Sequence, residues 1–513
     1  MSNSYYEQYV QHVQKLADIE NSIGVLIWDK EVYLPQNGAT FRSQQIATLS
    51  GILHEESTKP DFVETVRQLK ESPNGLSAEE QRNIEVSWRD LQRVMRLDTA
   101  FVKRRAQLIS EAFHAWMKAR EANDYRHFGE ALAKLVDTKR EEAELLGYED
   151  HPYDALLEEF EPGSRVAKLD ALFRHVRQNL VQFVRDLDRQ LAETDDRFLH
   201  LNYPRDTQWK FGIHLLENLG YDFESGRQDI APHPFTINFS PEDVRVTTRI
   251  DEQDLANMTW SCIHEAGHAM YEQGLPKEPY GLPISRAASL SIHESQARLW
   301  ENHVGRSLTF WKAKYPLLQR YFPAQLRHVS LGQFYQAINK VTPNLIRTEA
   351  DELHYHFHVM VRYELEKGLM DGSLKAKDLV SHWNDMYRDY LGVEVPNDRQ
   401  GILQDIHWAH GSFGYFPTYS LGSFYAAQFF RKAKADHPEL EDEMARGNLK
   451  PLKEWLQENI YDRGKRFEAE ELCEKVTGEP LRFSYFMDYA REKYQGLLEM
   501  EDTTGVGSES GMI

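Results

Sequence analysis

The sequence predicts an all-α (mainly helical) protein with one small antiparallel β-sheet. Long charged stretches keep a helical period with little glycine or proline, and a single short passage alternates as strands do. No Gly/Ser/Pro-rich linker divides the chain. Its 513 residues would allow about three average domains by length. We nevertheless expect one unit over residues 1–498 and a disordered tail over 499–513.

From Ser77 to Leu146 the heptad-like, charged pattern predicts two or three long helices, opened by Ser77-Ala78-Glu79-Glu80 in the form of a capping box. A further pair is expected after Pro162-Gly163-Ser164, where Leu169, Leu172, Phe173, Val176, Leu180 and Phe183 recur at helical spacing as a core stripe. The Gly/Asp/Pro-rich passage from Gly220 leads into Phe235–Phe239 and Val244–Thr248, which alternate and predict a hairpin. Leu255–Gly274 then reads as a helix with Asp254 as N-cap and Trp260, Ile263, Ala269 and Met270 on its apolar side.

Sixty basic against eighty-one acidic side chains give a net charge of -21, which argues against nucleic-acid binding. The N-terminus lacks a basic then apolar leader pattern, and no apolar run approaches the roughly eighteen residues of a membrane span, so we expect a cytoplasmic protein without membrane contact. Two cysteines, Cys262 and Cys473, are too few for a disulfide framework or a thiolate metal site. Cys262 reads as a small packed side chain.

The chemistry concentrates in His264-Glu265-Ala266-Gly267-His268. Residues four apart share a helix face, so His264 and His268 can offer imidazole nitrogens to one divalent metal, with Glu265 at the edge of that face as general base. Glu294, in His293-Glu294-Ser295-Gln296, supplies a third ligand. Two imidazoles, one carboxylate and an open position suit a catalytic metal, whereas structural zinc is normally closed by four protein ligands. This is the pattern of a zinc peptidase. The alternative is a solvated or hydrogen-bonded histidine pair.

These residues belong to a longer series. His233-Pro234-Phe235, Asp243-Val244-Arg245-Val246-Thr247, the two histidine motifs, Ile346-Arg347-Thr348-Glu349-Ala350-Asp351, Gly401-Ile402-Leu403-Gln404-Asp405-Ile406-His407-Trp408 and Gly414-Tyr415-Phe416-Pro417-Thr418-Tyr419 follow one another in order. The chain thereby resembles the M32 metallocarboxypeptidases, typified by carboxypeptidase Taq, from near its N-terminus to about Tyr494. The resemblance implies a saddle-like single domain with a deep substrate groove, similar to the neurolysin and angiotensin-converting-enzyme architecture. It also implies a homodimer with one divalent metal per subunit, zinc or cobalt. The implied activity is release of single C-terminal residues from peptides with a free C-terminal carboxylate, with broad specificity and poor action at proline.

Among the matched residues, Arg347 is the first candidate for the terminal carboxylate, which its planar, always-charged fork can pair bidentately. The alternative is a structural ion pair with Glu349 or Asp351. His407 and Tyr419, expected in loop-like segments, are candidates to stabilise the oxyanion, the alternative being ordinary core hydrogen bonding. Asp243 and Arg245 could orient the strand edge or each other, and His293 could serve the substrate or support a metal ligand. The hairpin could pair with an extended peptide or merely cover the core. Trp28-Asp29-Lys30-Glu31 reads as structural. His354, seven residues after Arg347 on what reads as one helix face, could alter subsite chemistry. Two competing functions stay open: an endopeptidase of the thimet type, and a non-enzymatic helical scaffold that binds peptides.

Overall fold

The computed structural model describes residues 2–191 and 193–505. It is 71% helical with one three-stranded sheet. The chain divides into two compact units: Met1–Met95, Arg197–Leu331 and Phe429–Pro480 form the first, and Arg96–Asp196, Gly332–Gln428 and Leu481–Ile513 the second.

The expected helices are present. The 77–146 run forms Ala78–Met95, Thr99–Ala122 and Arg126–Leu146. Its capping box closes reciprocally, with Ser77 N donating to Glu80 Oε2 at 2.7 Å and Glu80 N to Ser77 Oγ at 3.3 Å. The pair after Pro162 is Val166–Leu191 and Arg205–Leu219. In the first of these, Leu169, Phe173, Val176 and Leu180 are buried, while Leu172 and Phe183 are only half-buried. The stripe is therefore core, narrower than its sequence period. Among the described residues no helix is long and apolar enough to cross a membrane. The last helix, Ser484–Gly505, runs into the segment expected to be a disordered tail, and residues 506–513 lie outside the described residues.

The sheet lies in the first unit and differs from expectation in one respect. β2 (Thr236–Ser240) and β3 (Asp243–Thr248) form the expected antiparallel hairpin. β1 (Gly226–Ile230) adds to β3 in parallel, giving the order β1-β3-β2, so the sheet is mixed rather than purely antiparallel. Gly226-Arg227-Gln228-Asp229-Ile230 is too polar to read as a strand. Side-chain contacts help to bury it: Arg227 Nε and Nη2 donate to Asp229 Oδ2 and Oδ1 at 2.7 and 2.8 Å, and Gln228 Nε2 lies 3.5 Å from Cys262 Sγ, while Gln228 Oε1 has no hydrogen-bond partner among the described residues. β2 is left as an edge strand. Its far end is covered by the N-terminal helix Ser2–Val32, whose Asn21 Nδ2 donates to Phe239 O at 2.6 Å.

Within the first unit, the helix Leu255–Gly274 is packed on the sheet and on the helix Leu290–Arg298. Asp254 caps it through Ala256 N at 2.9 Å, and Trp260, Ile263, Ala269 and Met270 are buried, as the sequence predicts. In the second unit, Leu132, Leu135, Val176, Leu180, Tyr363 and Tyr387 are completely buried. Each such side chain contributes on the order of 1.5–3 kcal/mol by leaving water.

Candidate functional site

The first unit brings together His264, Glu265 and His268 from the helix Leu255–Gly274 with His293 and Glu294 from the helix Leu290–Arg298. Ligand atoms of His264, His268 and Glu294 lie within 4.8 Å of one another. Glu294 Oε2 is 3.9 Å from His264 Nε2 and 3.6 Å from His268 Nε2. Tetrahedral bonds of about 2.0–2.1 Å place neighbouring ligand atoms about 3.4 Å apart, so the two histidine–glutamate separations exceed that spacing by only a few tenths of an ångström. The outer atoms are also set for ligation. His264 Nδ1 is 2.8 Å from Glu301 Oε2, which leaves Nε2 facing Glu294. Arg298 Nε donates to Glu294 Oε1 at 2.6 Å, freeing Oε2 for the histidines, and Arg298 Nη1 donates to Glu301 at 3.1 Å. The donors present fit a divalent metal. Cys262 is not among them: it is buried, and burial pushes its thiol up to about 12.

Electrostatics follow the same contacts. Burial works against a charged His264, but Glu294 and Glu301 outweigh it and raise the imidazole. His268 is pushed far down by burial and by its histidine neighbours. Burial opposes ionisation of Glu301 too, yet Arg298 and His264 hold it at about 2. For Glu265, burial prevails and raises the carboxyl. Thr236 Oγ1, on β2, donates to Glu265 Oε2 at 2.6 Å, leaving Oε1 without a donor among the described residues.

Other predicted residues fall elsewhere. His293 Nε2 lies 2.7 Å from Glu272 Oε1 and its Nδ1 2.7 Å from His268 Nδ1, so neither ring nitrogen is left for a substrate. Its place is behind a ligand. Asp243 and Arg245 bind each other through two 2.8 Å contacts, with Arg245 4.3 Å over the Trp28 ring, and none of their contacts among the described residues is with a metal-site side chain. Trp28 is 6% exposed and also faces Arg227 at 5.3 Å, a structural setting.

The second unit gathers Arg347, His407 and Tyr419. Arg347 is on a short 3-10 turn, Arg347–Glu349, separate from the helix His354–Asp371, so it does not share a helix face with His354. Its ion-pair partner is neither Glu349 nor Asp351. Arg347 Nε donates to Asp405 Oδ1 at 2.9 Å and Nη1 to Tyr355 OH at 2.7 Å, while Arg362 Nε takes the other oxygen of Asp405 at 2.7 Å. Burial opposes the charge on Asp405, but the two arginines hold its carboxyl well below the usual range. Two guanidiniums against one carboxylate leave this buried cluster with one excess positive charge. Arg347 also lies 4.8 Å over the Tyr419 ring, and Tyr419 OH is 3.0 Å from His407 Nε2. Burial, reinforced by Arg347, pushes His407 down to about 3. His407 is in an irregular segment as expected, whereas Tyr419 opens the helix Pro417–Asp436. His354 is bound to Asp351 at 2.6 Å.

Thr236, Glu272, Arg298, Glu301 and Asp405 are prominent in these contacts and were not singled out from sequence. Arg298 and Glu301 follow Glu294 by four and seven residues, a helical spacing that could have marked them. Asp405 stands inside a motif already noted, and Thr236 carries no sequence signal.

The family model described as carboxypeptidase Taq (M32) metallopeptidase matches residues 8–494. Thermostable carboxypeptidase 1 of Thermus thermophilus is 40% identical over 506 residues, covering 96% of this chain and 98% of its own. The solved M32 carboxypeptidase of Deinococcus radiodurans is 36% identical, with a TM-score of 0.94 over 97% of this chain and 100% of that one. A solved protein described as CHT is 56% identical, with a TM-score of 0.92 over 96% and 99%. The chain belongs to the carboxypeptidase Taq (M32) metallopeptidase family, a family of hydrolases.

Proposed function

We propose that this protein is a metal-dependent carboxypeptidase that removes single C-terminal residues from peptides, with broad side-chain preference and poor action at proline. The observation that carries the reading is the ligand set His264, His268 and Glu294 with Glu265 beside it, in a chain whose relatives are named carboxypeptidases. His264, His268 and Glu294 would hold a divalent metal, which when bound would supply Lewis-acid polarisation of the scissile carbonyl and of a water. Glu265 takes the water's proton on Oε1, the oxygen that Thr236 leaves open, and returns it to the leaving amine. The edge of β2 begins at Thr236, next to this carboxylate, which supports a role for the hairpin in aligning peptide main chain without reading side chains. We read residues 1–498 as one catalytic domain, supported by a family match that runs from 8 to 494 through both units.

Arg347 is our candidate for the terminal carboxylate, supported by the excess positive charge it shares with Arg362 and Asp405. His407, neutral at physiological pH, and Tyr419 are candidate oxyanion donors. Replacing Arg347 by Ala should raise KM for free-acid peptides about tenfold to a hundredfold, the loss of one or two charge-assisted hydrogen bonds, with metal content unchanged. Unaltered kinetics would exclude the role.

Mass spectrometry of an N-acetylated peptide tests the reaction itself, offered as free acid and as C-terminal amide. A ladder shortening by one residue from the acid alone is expected, and internal fragments from both forms would mean an endopeptidase. Stripping the protein with a strong chelator should abolish the ladder, and zinc or cobalt should restore it. Full turnover by verified metal-free protein would overturn the metal reading.

A further inference from the structure

We infer that Glu272 is a positioning residue for the metal site, fixing through His293 the tautomer in which His268 can ligate. The inference rests on His264, His268 and Glu294 being the metal ligands. Glu272 is one helical turn beyond His268 on the same helix, His293 immediately precedes Glu294 on the neighbouring one, and Asn238 lies on β2. All are joined in one chain of hydrogen bonds: Asn238 Nδ2 to Glu272 Oε2 at 2.8 Å, Glu272 Oε1 to His293 Nε2 at 2.7 Å, and His293 Nδ1 to His268 Nδ1 at 2.7 Å.

The direction of this chain follows from what each atom can do. A carboxylate only accepts, so His293 carries its proton on Nε2, pointed at Glu272. Ligation through His268 Nε2, the atom that faces Glu294, leaves the proton of that ring on Nδ1. His293 therefore has to accept at its own Nδ1 and is the neutral partner rather than an imidazolium donating from both nitrogens. The close contact between the two Nδ1 atoms requires one donor and one acceptor, so His268 holds its own proton on Nδ1, where His293 O at 3.2 Å also receives it. The lone pair of His268 is thereby on Nε2, the atom 3.6 Å from Glu294 Oε2. In the opposite arrangement, His268 would be protonated on Nε2 and unable to ligate, and the His293 Nε2 lone pair would face the Glu272 carboxylate, which repels it. Glu272 is 6% exposed, so little water is available to relieve that repulsion. Glu301 performs the corresponding service directly for His264. For His268 the carboxylate acts one imidazole further away.

The test uses the full chain loaded with zinc and measures two things other than turnover. Zinc affinity, by competition with a chelator, should fall about 10- to 100-fold in Glu272→Ala, the range for loss of an outer-shell partner, and Glu272→Gln, which keeps an acceptor oxygen for His293 Nε2, should recover most of it. Long-range nitrogen–proton NMR of histidine-labelled wild type should show His268 protonated on Nδ1 and His293 on Nε2. Wild-type zinc affinity in Glu272→Ala, or His293 protonated on Nδ1 alone, would overturn the inference. If Glu272→Ala does not fold, the spectrum of the wild type decides. Failure of the wild type to bind zinc at all is a different result, and removes the metal reading on which the inference stands.

Discussion

Glu265→Gln should lower turnover by about 10²–10⁴-fold, the range contributed by a positioned general base, while zinc content stays at the wild-type level. Glutamine keeps the size of the side chain and an oxygen to accept from Thr236 Oγ1, now 2.6 Å from Oε2, so the hairpin stays tied to the helix. It cannot take a proton from water. Because Glu265 projects to the side of the two ligand imidazoles and is not one of the three clustered ligands, removing its charge leaves the ligand set intact. Burial already disfavours its ionised form, so the neutral amide costs the fold little. Parallel measurement of kcat, KM and bound zinc checks this. A fall in zinc content matching the fall in kcat would make Glu265 a ligand or a support for one, and an unchanged kcat would transfer the base to another residue.

How far the sequence revealed this site depended on the distance over which each signal acts. His264, His268 and Glu265 are legible because helical periodicity alone brings them to one face, and Asp254 and the buried Trp260, Ile263 and Met270 follow from the same period. Ser77 and Glu80 are legible for the same reason, a local pattern with a local hydrogen-bond consequence. β1 was not, because its burial depends on matching Asp229 to Arg227 and Gln228 to Cys262, and polarity conceals a strand whose partners are distant. The alternative for Arg347, an ion pair with its near neighbours Glu349 or Asp351, looked only a few residues along the chain, whereas its partner is Asp405, 58 residues away. His293 was recognised as close to a ligand, yet its neighbour Glu272 becomes visible only when two helices are placed side by side.

The approach of those two helices makes the second large effect. Gly267 stands between the ligand histidines, and a Cβ there would lie 2.6 Å from Ala297 Cα and 2.7 Å from Gln296 O. Those are backbone atoms of the helix that carries Glu294, and its continuation Leu299–Val304, a wider π turn, carries Glu301. Reaching ordinary carbon contact requires the helices to part by about 1 Å, in a site whose two histidine–glutamate separations are only a few tenths of an ångström from bonding spacing. Gly267→Ala should therefore weaken zinc binding tenfold or more and lower turnover about 10²-fold, the scale of a 1 Å misplacement. Thermal stability should move much less. Overpacking costs on the order of 1–3 kcal/mol, while alanine in a helix interior recovers about 1 kcal/mol relative to glycine. Zinc titration beside a melting curve separates the two effects. Unchanged zinc affinity would mean that the spacing of these helices does not set the ligand geometry, and a large drop in melting temperature with normal zinc binding would make Gly267 a packing residue alone.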